Sequence, residues 1–246
     1  ACHPVVLSSK SKKISRDYPG AVDNALTRMN DKLSGFLWTT GCAGDINPIA
    51  IRNRNKDFQA GSIEDLERIG NRLAKELMFM SKKTTTGRHE IYYSTANLDL
   101  HFDMLYVLDK QVVIEELKNK YKNPEQDFLD RYSRFLDIAK KRLEESNQSR
   151  LNIDVGVIRI GGNNIVGLPG EIFSSTGLKI KKQYPNTMVF AYTNGVVGYI
   201  PPSSEYDKKI SYATGRGQII YNPRPFDRRC EEYLLNGVNE AFSYLS

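Results

Sequence analysis

Hydrophobic positions recur along this chain with two different periods, and most of its elements can be read from them. Between Ser15 and Leu33 the apolar residues Val22, Leu26, Met29 and Leu33 fall four, three and four apart, one face of an amphipathic helix. Asp17 is expected as its cap and Pro19 at its first helical position. Phe36-Leu37-Trp38 reads as a short buried strand that delivers a tight loop, Gly41-Cys42-Ala43-Gly44-Asp45-Ile46-Asn47-Pro48. Ser62 and Asp65 stand at capping-box spacing ahead of a Leu66, Ile69, Leu73, Leu77 stripe, which predicts a second helix ending near Lys82.

The second half alternates more. Ile91 to Phe102 reads as a long strand, and Val112 to Ser146 as two helices broken at Asn123-Pro124. Leu151–Ile160, Gly161-Gly162-Asn163-Asn164 and Ile165–Leu168 form strand, turn and strand, because Gly and Asn accept the positive φ of a tight hairpin. Then come a helix from about Glu171 to Gln183, a strand from Thr187 to Thr193, and an irregular stretch from Asn194 to Phe226. A last helix runs to Leu245. Strands alternating with helices, plus a hairpin and helical insertions, predict an α/β fold with a mixed β-sheet core flanked by helices. No repeat or linker divides residues 1–246.

Composition narrows the function classes. At 246 residues and 40% hydrophobic, the chain is large enough to fold around an ordinary core without disulfide staples. No apolar run approaches the ~18 residues of a membrane-spanning helix. Lys and Arg number 35 against 29 Asp and Glu, and the excess is scattered over clusters such as Lys140/Lys141/Arg142, Lys179/Lys181/Lys182 and Arg228/Arg229. Such scatter argues against a nucleic-acid groove. It makes ordinary solvated faces, with a mild positive field suited to peripheral contact with an anionic lipid surface. Cys2, Cys42 and Cys230 are odd in number and lack a CxxC, so they build neither a disulfide framework nor a Cys-rich zinc knot.

Three segments each put a metal-ligating type where a strand or helix meets a Gly/Pro turn: Cys2-His3-Pro4, Leu168-Pro169-Gly170-Glu171 and Gly198-Tyr199-Ile200-Pro201. Loops at strand ends are where a rigid sheet both fixes and exposes catalytic groups. Taken singly, each residue also has an ordinary reading: His3 as a satisfied core imidazole, Glu171 as a first-turn carboxylate on its own helix dipole, Tyr199 as a packed aromatic. Gly215-Arg216-Gly217 is half of a phosphate-loop pattern without its context, Asn147-Gln148-Ser149 is a glycosylation sequon, and His89 and His101 read as surface or strand residues. Ala1-Cys2-His3-Pro4 has no initiator Met, charged start or signal-peptide core, so the chain is expected to start inside a domain.

Five motifs occur in the order and rough spacing of the neutral/alkaline non-lysosomal ceramidases. They are Ala1-Cys2-His3-Pro4, Ile14-Ser15-Arg16-Asp17-Tyr18-Pro19-Gly20, Gly41 to Pro48, Leu168-Pro169-Gly170-Glu171 and Asn194-Gly195-Val196-Val197-Gly198-Tyr199. The chain resembles the C-terminal half of that family's catalytic domain, without the immunoglobulin-like domain that follows in some members. The resemblance implies a zinc-dependent amidohydrolase that cleaves the N-acyl bond of a lipid-like substrate. It further implies a secreted, periplasmic or cell-surface location.

The same resemblance implies that His3, Glu171 and Tyr199 hold Zn2+, with a further histidine from a His-x-His motif in the N-terminal half; neither His89 nor His101 has such a neighbour. Imidazole and carboxylate are good zinc ligands, and the metal would polarise a scissile carbonyl and activate a water. The loop Gly44-Asp45-Ile46-Asn47-Pro48 resembles the family's Gly-Asp-x-Ser-Pro, which places Asp45 and Asn47 with Tyr199 among the catalytic candidates. Where the family has serine this chain has Asn47, an amide that cannot attack but can donate to an oxyanion or a substrate hydroxyl. The rival from another class is a non-catalytic surface protein that keeps the fold to bind lipid or glycan.

Overall fold

The computed structural model describes residues 1–7, 14–49, 61–80, 90–121, 124–208 and 211–245. Its centre is a four-stranded mixed sheet in the order β1-β2-β3-β5. β1 (Ile91–His101) and β2 (Arg150–Ile160) pair antiparallel along their whole length, from Ile91 opposite Ile160 to His101 opposite Arg150. β3 (Asn163–Gly167) returns from β2 through the Gly161-Gly162 turn, where Gly161 takes φ 55°. β5 (Thr187–Phe190) then lies parallel to β3.

One face of β1 turns inward at Ser94, Ala96 and Leu100, and α7 (Cys230–Ser243) covers it, with the Ser94 hydroxyl donating to the Ala241 carbonyl at 2.6 Å. Leu100, Val155, Val157, Val166, Leu234 and Ala241 are fully buried in that layer, and Phe102 stacks on Phe226 at 5.1 Å. Val and Ile on the strands and a Leu/Val/Ala stripe on the helix give both elements the apolar face they bury.

A second body of core is helical. α1 (Asp17–Met29) and α2 (Ile63–Met80) pack through Val22, Ala25, Leu26 and Ala74, with Phe36 and Trp38 against them. The capping box at the start of α2 is reciprocal: Ser62 N–H donates to Asp65 Oδ2 at 2.9 Å, and Asp65 N–H to Ser62 Oγ at 3.2 Å. α3 (Lys110–Lys120) and α4 (Gln126–Glu145) form the two-helix insertion between β1 and β2. No described helix is long and apolar enough to cross a membrane.

Several expectations are corrected. Phe36-Leu37-Trp38 forms no strand: Phe36 and Trp38 serve the helical core while Leu37 is exposed. Asp17 does not cap α1 as expected, since the N-cap is Arg16; Asp17 itself takes φ 52° and turns its carboxylate back onto the N-terminal segment. Glu171 does not open a helix. It begins a two-residue strand, β4 (Glu171–Ile172), and α5 starts only at Ser174 and runs to Gln183. The strand expected to reach Thr193 stops at Phe190. The stretch expected to be irregular holds β6 (Tyr199–Ile200), a 3-10 turn at Ser203–Asp207 and the short α6 (Gln218–Tyr221). His89, Asn123 and Lys82 lie outside the described residues.

Candidate metal site

The site is assembled by backbone contacts between segments far apart in sequence. β4 and β6 pair in parallel, with Glu171 opposite Tyr199 and Ile172 opposite Ile200. Glycine makes the approach possible: a Cβ on Gly170, which sits at φ +102°, would lie 2.6 Å from the Gly198 carbonyl oxygen. The Gly41–Pro48 turn closes over this pair. Gly44 N–H donates to the Ile172 carbonyl at 2.8 Å, and a Cβ on Gly44 would stand 2.7 Å from the Glu171 oxygen.

His3 is brought in by the same turn. Its N–H donates to the Ile46 carbonyl at 2.9 Å, and its Nδ1 lies 3.2 Å from that oxygen. A carbonyl only accepts, so Nδ1 carries the hydrogen and Nε2 faces the site. The first helix holds this segment in place. Val6 and Leu7 N–H donate to the Asp17 carboxylate at 3.1 and 3.0 Å, and the Tyr18 hydroxyl donates to the Cys2 carbonyl at 2.7 Å.

His3 Nε2 lies 2.7 Å from Glu171 Oε2. Tyr221 donates its hydroxyl to Glu171 Oε1 at 2.7 Å, and the Tyr192 hydroxyl is 3.1 Å from His3 Nε2. Burial would raise the Glu171 carboxyl, but its partners His3, Tyr221 and Tyr199 hold it below the usual carboxylate value. Burial would lower His3, yet the hydrogen bond and charge of Glu171 carry it above the ordinary imidazole value. Burial and then Glu171 push the Tyr199 phenol far up in the metal-free site.

His3 and Tyr199 line a cavity of about 510 Å³ together with Asn47, Asp45, Glu205 and Tyr212. Asn47 is exposed on its wall. Asp45 accepts from Ser174 N–H at 2.6 Å and from Ser174 Oγ at 2.8 Å, which ties the turn to the start of α5. Tyr212 meets Tyr199 edge to face at 5.6 Å, and Glu205 is held by Lys208 and by Ser211 at 2.8 Å. The His101 ring packs on Tyr233 at 5.1 Å.

The structure thus brings His3, Glu171 and Tyr199 together. Tyr192 and Tyr221, which the motifs did not single out, join them. Two tyrosines among 14 carry no local signal; the one available hint was that Tyr192 follows a strand just before the Thr193-Asn194-Gly195 turn. Among the described residues no three of His, Cys, Asp and Glu converge, so a third ligand for a metal from within this chain would have to be a phenol. The residues present fit zinc. A neutral imidazole with its hydrogen on Nδ1 and a carboxylate both offer lone pairs, and two lone pairs 2.7 Å apart require a cation, either a proton or a metal, between them. The Nδ1–H to carbonyl bond is the support that metal-bound histidines usually have.

No protein-family model matches this chain, and no curated protein does. Among solved structures it is similar to a ceramidase complexed with C2, at TM-score 0.60 and 13% identity, with 99% of this chain and 44% of that one covered. It is also similar to the neutral ceramidase from Pseudomonas aeruginosa, at TM-score 0.59 and 14% identity, covering 99% and 43%. The chain therefore spans less than half the length of these ceramidases and shares the fold of the part it matches.

Proposed function

We propose that this chain is the C-terminal part of a ceramidase-like catalytic domain, in a zinc-dependent hydrolase that cleaves an N-acyl amide bond of a lipid-like substrate. One observation carries the reading: His3 Nε2 and Glu171 Oε2, 168 residues apart in sequence, meet at 2.7 Å beside a cavity, in a fold shared with ceramidases. His3, Glu171 and Tyr199 would hold the ion, and the N-terminal half of the same protein would add a further histidine.

When bound, zinc would supply a Lewis acid that polarises the scissile carbonyl and makes a water more acidic. The chain's own residues do the rest. The Nδ1–H bond to Ile46 keeps Nε2 directed inward, and Tyr221 orients the Glu171 carboxylate through Oε1. Tyr199 and, from the cavity wall, Asn47 would donate to the oxyanion that develops on the carbonyl. Asp45 fixes the turn that carries Asn47 by accepting twice from Ser174.

The test is metal analysis and hydrolysis of a fluorogenic ceramide and simpler N-acyl amides by the full-length protein, before and after chelation. Stoichiometric zinc with chelator-sensitive turnover is expected. Metal-independent turnover would replace this reading with a hydrolase that needs no metal, and lipid binding without any turnover with a binding protein.

A further inference from the structure

Tyr192 stands out on two independent grounds. It is a bulky aromatic at φ 60°, a left-handed conformation that L side chains other than Asn and Asp rarely adopt. Strain of this kind persists only where the surroundings impose it, and it concentrates at functional sites. The surroundings here are explicit. Tyr192 N–H donates to the Gly170 carbonyl at 3.2 Å, while Ala191 N–H donates to Thr40 at 3.0 Å and Thr193 N–H to Leu168 at 3.0 Å. The backbone of Tyr192 and Thr193 is thus tied to the segment that carries Glu171, and that of Ala191 to the start of the Gly41–Pro48 turn.

The second ground is where the side chain goes. The ring meets His3 edge to face, at 6.1 Å and 77° between planes, and its hydroxyl lies 3.1 Å from Nε2. Nδ1 is already committed to the Ile46 carbonyl, so Nε2 has one in-plane position to share. Glu171 Oε2 and the Tyr192 hydroxyl both converge on that single position. The cation that Nε2 and Oε2 require between them lies at that position; without a metal it is a proton on Nε2, so the phenol oxygen accepts a share of the same N–H that His3 directs at Glu171.

We propose that Tyr192 is a further residue of the site, a placeholder for the metal. Without a metal its phenol oxygen shares the Nε2–H that His3 directs at Glu171; an ion that takes the place of that proton on Nε2 ends the contact. The phenol keeps its own O–H, which becomes a second donor toward the substrate carbonyl oxygen. This inference rests on reading His3 and Glu171 as zinc ligands. It gives Tyr192 the opposite sign from Tyr199 in metal binding: removing a ligand weakens zinc, whereas removing a competitor strengthens it.

The experiment is Tyr192→Phe in the full-length protein, which keeps the ring and the backbone conformation and deletes only the hydroxyl. Zinc affinity is measured by competition with a chromogenic chelator, and kcat and KM on a fluorogenic N-acyl amide. Zinc binding is expected to tighten by about threefold to tenfold, the worth of one ordinary hydrogen bond. The kcat is expected to fall by about tenfold or more, with KM within about twofold, as for a donor lost at the reacting oxygen. Unchanged or weaker zinc binding, or an unchanged kcat, overturns the proposal. If the parent protein takes up no zinc, the reading of the whole site fails and this inference falls with it; a zinc-loaded, active parent with an indifferent Tyr192→Phe variant sinks this inference alone.

Discussion

Glu171 and Tyr199 stand directly opposite each other across a parallel pair of two-residue strands, so their side chains emerge on the same face, one residue from the Gly170 and Gly198 turns. The pairing gives the two residues separable roles. Glu171→Gln removes the charge that balances a cation, and zinc content is expected to fall by more than half. Tyr199→Phe removes a weak ligand and a donor, so more metal stays while kcat drops by about 10²-fold, typical of one lost oxyanion donor. Zinc analysis alongside steady-state kinetics separates the two; full metal and full rate in both variants would rule the pair out as site residues.

Placement of His3 depends on a carboxylate that does no chemistry. Asp17 is buried and accepts from Val6 and Leu7 N–H, and its Oδ1 also accepts from Tyr18 N–H at 2.8 Å. Asp17→Ala strands these donors, and urea denaturation is expected to show a loss of about 3 kcal/mol. Asp17→Asn keeps one acceptor and tolerates the positive φ, so its loss should be smaller. Zinc affinity should fall with Asp17→Ala as well, because the segment bearing His3 loses its anchor. A stability change under about 0.5 kcal/mol would show that the helix does not position this segment.

What the sequence exposed and what it hid divide along the range of the interactions involved. The Ser62/Asp65 box and the Gly161-Gly162 hairpin were legible because each is complete within a few residues. Phe36-Leu37-Trp38 misled because three apolar residues fit a strand and a packed loop equally well, and only the distant Val22/Leu26 and Ala74 surface decides between them. Glu171 looked like a helix start because its strand partner, Tyr199, lies 28 positions away, beyond any local pattern. His3, Glu171 and Tyr199 were found through ordered motifs rather than periodicity. Tyr192 and Tyr221 were missed since a phenol has no spacing rule until the fold brings it to a partner.

The buried thiols predict a pH dependence. Burial pushes the Cys42 thiol from 9.0 up to about 11 and Cys230 from 9.0 up to about 12. A thiol that stays protonated longer when folded contributes stability that is complete below its unfolded pKa and is lost as pH rises through the folded one. Thermal stability should therefore begin to decline above pH 9 and continue to fall through about 11 to 12. Melts of the parent and a Cys42→Ala/Cys230→Ala variant test this between about pH 9 and 10, before most tyrosines ionise. An equally steep decline in the variant would assign the effect elsewhere.

Asn47 separates the catalytic schemes. It sits exposed on the cavity wall beside His3 and Tyr199, carried by the turn that Asp45 ties to Ser174. If an activated water is the attacking group, position 47 forms no covalent bond to substrate. Asn47→Ala should then lower kcat by about 10²-fold through one lost positioning hydrogen bond. Asn47→Ser, which keeps a donor of different reach, should shift preference between ceramide and short N-acyl amides more than it shifts the basal rate. If a hydroxyl at this position is the nucleophile, the parent is silent and Asn47→Ser switches activity on. If the protein only binds, none of the three forms turns over and all keep their affinity for the ligand. Assays of parent, Ala and Ser forms on both substrates, with zinc added and then chelated, give each scheme a distinct result. Chelator-sensitive hydrolysis by the parent is the outcome expected from a site whose imidazole and carboxylate already meet at 2.7 Å.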